Sequence, residues 1–165
     1  MPHNDRPNQV VGIDYVQVEL IKEDEHGESQ ELKFNVMTCV CLATDFAQQY
    51  IVPEGPNALS RAFHRCWVRS YGAPESVYMD PHYSTLSRDF QAYLDHYDIK
   101  LLHIAAEAHW QLGRTEIANR VLRGMAQKCW RSTNRPPEEV IEACCAIRNQ
   151  QMRKCGFSPA QWFLG

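Results

Sequence analysis

At 165 residues the chain has the length of about one domain and can bury roughly 70% of the surface its unfolded form exposes. A composition of 44% hydrophobic and 22% charged residues, with 8 Gly, 9 Pro and no low-complexity run, excludes a disordered, collagenous or solenoid chain. The longest apolar stretch, Val36 to Ala43, falls far short of the ~20 residues a membrane span needs, and the first residues lack a basic-then-apolar signal pattern, so no membrane partner is expected. Cysteines at 39, 41, 66, 129, 144, 145 and 155 lie mostly in apolar segments, which fits core packing in a reducing, intracellular compartment. Cys39 and Cys41 have no second Cys/His pair at zinc spacing, so core packing is the reading there too. The net charge of −3 hides an asymmetry. Residues 1–100 carry 8 Lys/Arg against 15 Asp/Glu, whereas 101–165 carry 9 against 5. A polyanion would therefore meet the C-terminal third.

In chain order, residues 1–9 hold two prolines and no apolar periodicity and read as a flexible N-terminal tail; 10–165 read as one domain. Val10 to Ile21 alternates and is rich in β-branched residues, a strand. A charged turn, Lys22 to Ser29, leads around Gly27 into a second strand, Glu31 to Thr44, and Gln48 to Val52 makes a third before Pro53. Asn57 is placed to cap a helix reaching Tyr71, with Leu59, Ala62, Phe63, Cys66 and Trp67 on one face. Ser76 to Met79 is a short strand, Ser84 to His96 a helix, Ile99 to Ile104 a fifth strand and Ala105 to Leu112 a loop. A long helix runs from Gly113 to about Arg131, and Pro136-Pro137-Glu138 opens another to about Lys154. The order βββαβαβαα defines an α/β domain with a mixed sheet and helices on its faces.

Three acids stand out. Asp14 interrupts an apolar strand, Asp80 follows directly on Val77-Tyr78-Met79, and Glu116 lies in the first turn of the long helix. With the first and fourth strands side by side, Asp14 comes near Asp80 at the centre of the sheet, and a helix crossing that point brings Glu116 to both. Clustered carboxylates repel one another and are stable mainly when they hold hard divalent cations. Two Mg²⁺ ions about 3.5 to 4 Å apart are what in-line phosphoryl transfer needs. At 100° per residue, Ile117, Ala118, Val121, Leu122, Met125 and Cys129 form one face of the long helix; Glu116, Asn119, Arg120, Arg123 and Gln127 form the other. Arg120 and Arg123 then lie where a nucleic-acid backbone approaches the metals; the alternative is a solvated face with an i,i+4 Glu116–Arg120 pair. His82 and His109 are loop histidines open to surface, proton-transfer or DNA-contact roles, and Trp110 to anchoring its loop or stacking on a base.

Thirty-five residues separate Asp80 from Glu116. Asp14 in VVGIDYVQVEL, Asp80 in VYMDPHYST and Glu116 in AEAHWQLGRTEIANRVLRG resemble the D,D-35-E constellation of retroviral and LTR-retrotransposon integrase catalytic cores. Ala43-Thr44-Asp45-Phe46, the Gln111-x-Gly113-x-x-Glu116 spacing, Asn149 and the ending Gly156-Phe157-Ser158-Pro159 are similar to retrotransposon integrase sequence as well. The resemblance covers the chain from about Val10. Pro81-His82 departs from it, since Asn or Gln and then Gly commonly follow the second Asp, and the 65 residues between Asp14 and Asp80 exceed the usual spacing.

The resemblance implies an RNase H-like fold with a central five-stranded mixed sheet flanked by helices. It implies a polynucleotidyl transferase that uses Mg²⁺ or Mn²⁺, two ions held by Asp14, Asp80 and Glu116, to process the 3′ ends of retroelement DNA and join them to target DNA. DNA contacts are implied for Asn119, Arg120, Arg123, His109 and Gln111. A homodimer or higher oligomer is implied through the first and later helices, with Trp67, Trp130 and Cys144-Cys145 as its apolar material. The chain then reads as the core of a larger protein acting on nuclear DNA. Two other readings share these residues: a domesticated, catalytically silent DNA-binding or dimerisation domain, and a transposase or RNase H-like nuclease.

Overall fold

The computed structural model describes residues 6–23, 26–79, 88–103, 109–151 and 156–165; of residues 103 and 109–112 it describes the backbone only. Strand β1, Val10–Glu23, pairs antiparallel with β2, Ser29–Cys41, from Val11↔Cys41 to Glu23↔Ser29. The turn expected around Gly27 is present, with Gly27 at φ 78°, a conformation that glycine reaches without a Cβ clash. Strand β3, Ala47–Ile51, adds antiparallel to β2. Helix α1 begins as Ala58–Phe63, widens into a π-helical His64–Val68 and closes on Arg69–Tyr71. Asn57 has the left-handed φ of 54° and makes no side-chain capping bond, contrary to the cap expected of it.

Strand β4, Ser76–Met79, runs parallel to β1, and β5, Lys100–His103, runs parallel to β4; helix α2, Arg88–His96, connects them. Two long helices follow, α3, His109–Ser132, and α4, Pro137–Gln150, then a short α5, Pro159–Leu164. The sheet order is β3-β2-β1-β4-β5. The domain is thus α/β, a five-stranded mixed sheet flanked by helices. Two expectations change here. Helix α3 starts four residues before Gly113, so His109, Trp110 and Gln111 have helical backbone where a loop was expected. Helix α5 was not foreseen.

Alternation along the strands sorts the core into two layers. Odd positions such as Val11, Ile13, Met37, Cys39, Val77 and Met79 pack with Phe63, Trp67, Phe90 and Leu94 of α1 and α2. Even positions such as Val18, Leu20 and Val36 pack with Leu122, Ala126 and Trp130 of α3 and Val140, Ile141 and Cys144 of α4. Trp67, Trp130, Cys144 and Cys145 are all under 10% exposed. The apolar residues nominated for a dimer interface are therefore used up inside the chain's own core. Burial raises the Cys144 thiol to about 11 and that of Cys145 to about 12, as expected of cysteines serving as small hydrophobes.

Sheet and helix approach closely at Gly12. A Cβ there would lie 3.0 Å from Thr115 Cγ2 on α3 and 3.4 Å from Leu42 Cδ2. The missing side chain lets the first half of α3 settle onto β1, two residues before Asp14. Gly12→Val should lower unfolding free energy by about 1–3 kcal/mol, the cost of overpacking, and denaturant unfolding with unchanged m-value would show it.

Candidate active site

Strand β1 is fourteen residues long, and among the described residues β4 pairs with it from Val10 to Ile13. Past that point α3 serves the strand with side chains. Asn119 Nδ2 donates to Asp14 Oδ2 at 2.6 Å, Arg123 Nη2 donates to the Gln17 carbonyl at 3.3 Å, and Gln127 exchanges two bonds with the Ile21 backbone at 2.7 and 3.1 Å. Residues four apart on a helix face the same way, so positions 119, 123 and 127 form one row along the strand. The Tyr15 N–H donates to Asp14 Oδ1 at 2.8 Å. Asp14 is therefore half-buried, with a hydrogen bond on each carboxylate oxygen, on the even face beneath α3.

This geometry corrects the helical-wheel reading of α3. Its buried line runs through Thr115, Ala118, Asn119, Leu122, Ala126 and Trp130, while Ile117 is 48% exposed. Asn119 does not face outward with the arginines; at 5% exposure its amide is committed to Asp14 and Thr38. Glu116 is exposed, three residues before Asn119 and hence on the neighbouring turn above Asp14. Arg120 is exposed and forms no ion pair among the described residues. Arg123 is exposed too, with its bond to Gln17.

Asp80, Pro81 and His82 lie outside the described residues, as do the side chains of His109, Trp110 and Gln111. What is described is the approach to Asp80. The β1–β4 register ends on Ile13↔Met79, the residues that immediately precede the two aspartates.

The resemblance motifs acquire physical roles that sequence reasoning missed. Asp45, at φ 62°, turns the chain between β2 and β3, and its carboxylate pairs with Arg114 at 3.3 Å while its carbonyl accepts from the buried Arg148 at 2.8 Å. Arg114 also donates to the Leu42 carbonyl. Two residues before Glu116, α3 is thus tied to this turn. Asn149 grips both backbone groups of Ala47, accepting from its N–H at 3.0 Å and donating to its carbonyl at 2.6 Å. Ser158 and Gln161 form a capping box on α5, whose Phe163 stacks on Phe46 at 4.4 Å beside Trp67 and Tyr71. An Asp in a turn and an Asn late in a helix were the available signals; neither says which backbone it will meet.

The sequence matches no family model and no curated protein. The structure, by contrast, resembles solved ones across nearly its whole length. With the HTLV-2 integrase catalytic core domain in complex with magnesium, in its dimeric form, it shares a TM-score of 0.76 and 18% identity over 96% of this chain and 97% of that one. The trimeric form gives 0.75 with the same identity and coverage. With the simian T-cell lymphotropic virus intasome in complex with PP2A regulatory subunit B56 gamma, the TM-score is 0.80 at 13% identity, covering 97% of this chain and 55% of that one. The fold is RNase H-like. Within that class it is the fold of the retroviral integrase catalytic core.

Asn119 and Arg120 are adjacent in sequence and opposite in environment, which gives a direct check of the site. Asn119→Leu should lower stability by about 1–3 kcal/mol, because it strands a buried Thr38 hydroxyl and removes a bond to a carboxylate. Arg120→Ala should change stability by no more than about 0.5 kcal/mol. Paired denaturation curves test the contrast.

Proposed function

We propose that the chain is the catalytic core of a retroelement integrase, a divalent-metal-dependent polynucleotidyl transferase that processes DNA 3′ ends and joins them to target DNA. The observation that carries this reading is the seating of Asp14, presented by the central strand against the helix that bears Glu116 and fixed there by Asn119, one turn on from Glu116. The register of β4 supports Asp80 as the third member: Met79, the residue before it in sequence, pairs with Ile13, the residue before Asp14. The donor set fits a hard cation, being carboxylate oxygen throughout, and the HTLV-2 core that this fold resembles was solved with magnesium. Asp14, Asp80 and Glu116 would hold Mg²⁺ or Mn²⁺. When bound, two such ions supply Lewis-acid activation of an attacking oxygen and stabilisation of a leaving one.

The protein's own contribution is positioning. Asn119 and the Tyr15 N–H hold the Asp14 carboxylate in one orientation. Arg114, through the β2–β3 turn, holds the start of α3 and so the height of Glu116 above the sheet. Exposed Arg120 and Arg123 stand one and two turns beyond Glu116, where they would take DNA phosphates, and His109 and Gln111 are assigned to the DNA path at the start of the same helix. The partners are then element-end and target DNA, in the nucleus. The dimeric and trimeric forms of the HTLV-2 core support self-assembly. Among the described residues, no helix is long and apolar enough to cross a membrane.

The test is a strand-transfer assay with Mg²⁺ beside DNA binding across a salt series, in a protein with flanking DNA-binding domains. Asp14→Asn, Asp80→Asn and Glu116→Gln should each abolish strand transfer and leave DNA affinity equal or higher, since a negative charge near phosphate is removed. Strand transfer surviving in all three would remove these acids from the catalytic site, and no strand transfer by the unmodified protein would end the enzyme reading. Replacing Arg120 and Arg123 together with Ala should reduce the salt dependence of DNA binding by up to about two units of slope, one for each phosphate no longer neutralised. An unchanged slope would return both arginines to a solvated helix face.

A further inference from the structure

Asp14, Thr38 and Gln49 stand opposite one another on β1, β2 and β3, through the pairs Asp14↔Thr38 and Thr38↔Gln49. They form one cross-strand row on the face beneath α3 and α4. The neighbouring rows on that face are apolar: Gly12, Val40 and Ala47 on one side, Val16, Val36 and Ile51 on the other. The polar row is nonetheless buried, with Thr38 at 0%, Gln49 at 4% and the overlying Asn119 at 5% exposure. Buried polar groups in an apolar layer are costly unless bonded, and these are bonded in series. Gln49 Nε2 donates to Thr38 Oγ1 at 3.4 Å, Thr38 Oγ1 to Asn119 Oδ1 at 2.6 Å, and Asn119 Nδ2 to Asp14 Oδ2 at 2.6 Å.

The direction of this series is fixed by one charge. An ionised carboxylate only accepts, so Asn119 must present its NH₂ to Asp14 and its oxygen to Thr38. The Thr38 proton must then point at that oxygen, which leaves the hydroxyl lone pairs for the Gln49 amide. Each donor polarises the next toward the carboxylate. Without the Thr38 hydroxyl, nothing else in the row fixes the amide plane of Asn119, and the carboxylate gains freedom to turn with it.

We infer that Thr38 and Gln49 are positioning residues for Asp14, acting through Asn119 to set the orientation in which that carboxylate meets a divalent cation. The inference rests on the reading of Asp14 as a metal ligand. Groups that orient a metal ligand from behind typically contribute 10–100-fold to metal affinity.

The test uses the full chain, Mn²⁺ binding followed by electron paramagnetic resonance of the free ion, and the side-chain amide resonances of Asn119 in the metal-free protein. Thr38→Val should weaken Mn²⁺ binding about tenfold or more and move the Asn119 amide protons into faster exchange with water. Thr38→Ser should restore both, and Gln49→Met should shift both in the same direction to a smaller extent. Val36→Ala, in the adjoining apolar row, should lower stability without touching either. A folded Thr38→Val protein with wild-type Mn²⁺ affinity overturns the inference, and so does weakened binding with unchanged Asn119 signals. Should Thr38→Val fail to fold, Gln49→Met decides, and wild-type values for it overturn the inference. If the wild-type chain binds no Mn²⁺, the metal-ligand reading itself fails, whereas the Asn119 signals alone decide whether the series orients Asp14.

Discussion

The 2.6 Å hydrogen bond from Asn119 to Asp14 locks the sheet and the long helix together at the proposed site. Among the described residues β4 pairs with β1 only from Val10 to Ile13. Helix α3 answers with a row of side chains at four-residue spacing, of which Asn119 is the first, Arg123 the second and Gln127 the third. This row of bonds to the strand fixes the helix in rotation and height. Glu116 is carried along at a set distance from Asp14, because its place on the helix is fixed by Asn119 three residues later. Gly12 eases this approach, because a Cβ at that position would lie only 3.0 Å from Thr115 Cγ2.

Much of the architecture is legible in the chain itself. Alternating β-branched residues mark β1 and β2, Ser76–Met79 emerges with the bounds read from it, and proline marks the start of α4. The pairing of β1 with β4, on which the proposed meeting of Asp14 and Asp80 depends, is also one that the order of elements allows. The helical wheel of α3 was less faithful. It ranks residues by hydrophobicity, so it sent Asn119 outward and Ile117 inward. The fold does the reverse, because a buried Thr38 hydroxyl and the Asp14 carboxylate offer Asn119 partners that no apolar residue would satisfy. Burial of a polar residue depends on what lies across from it, and a single helix sequence does not contain that information.

Trp67, Trp130, Cys144 and Cys145 teach the converse. Large apolar residues in helices look like surplus available for a partner chain until the sheet is known to have two covered faces. Each face here takes up its own share: Trp67 belongs to the layer beneath α1, and Trp130 and Cys144 to the layer beneath α3 and α4. Similarly, Asp45, Asn149 and Phe163 are marks of resemblance in the sequence and braces in the structure. They secure the β2–β3 turn, the edge strand and the last helix, and only the first of these, through Arg114, bears on the position of Glu116.

The central claim is that Asp14, Asp80 and Glu116 form one metal-binding site beneath the start of α3. Its most direct test is the anomalous scattering of Mn²⁺ in crystals of the protein grown or soaked with that ion. The account predicts anomalous density within about 2.0–2.6 Å of carboxylate oxygens from Asp14, Asp80 and Glu116 together. Density held by other residues, or the Asp14 and Glu116 carboxylates too far apart to share an ion in the loaded crystal, would contradict it.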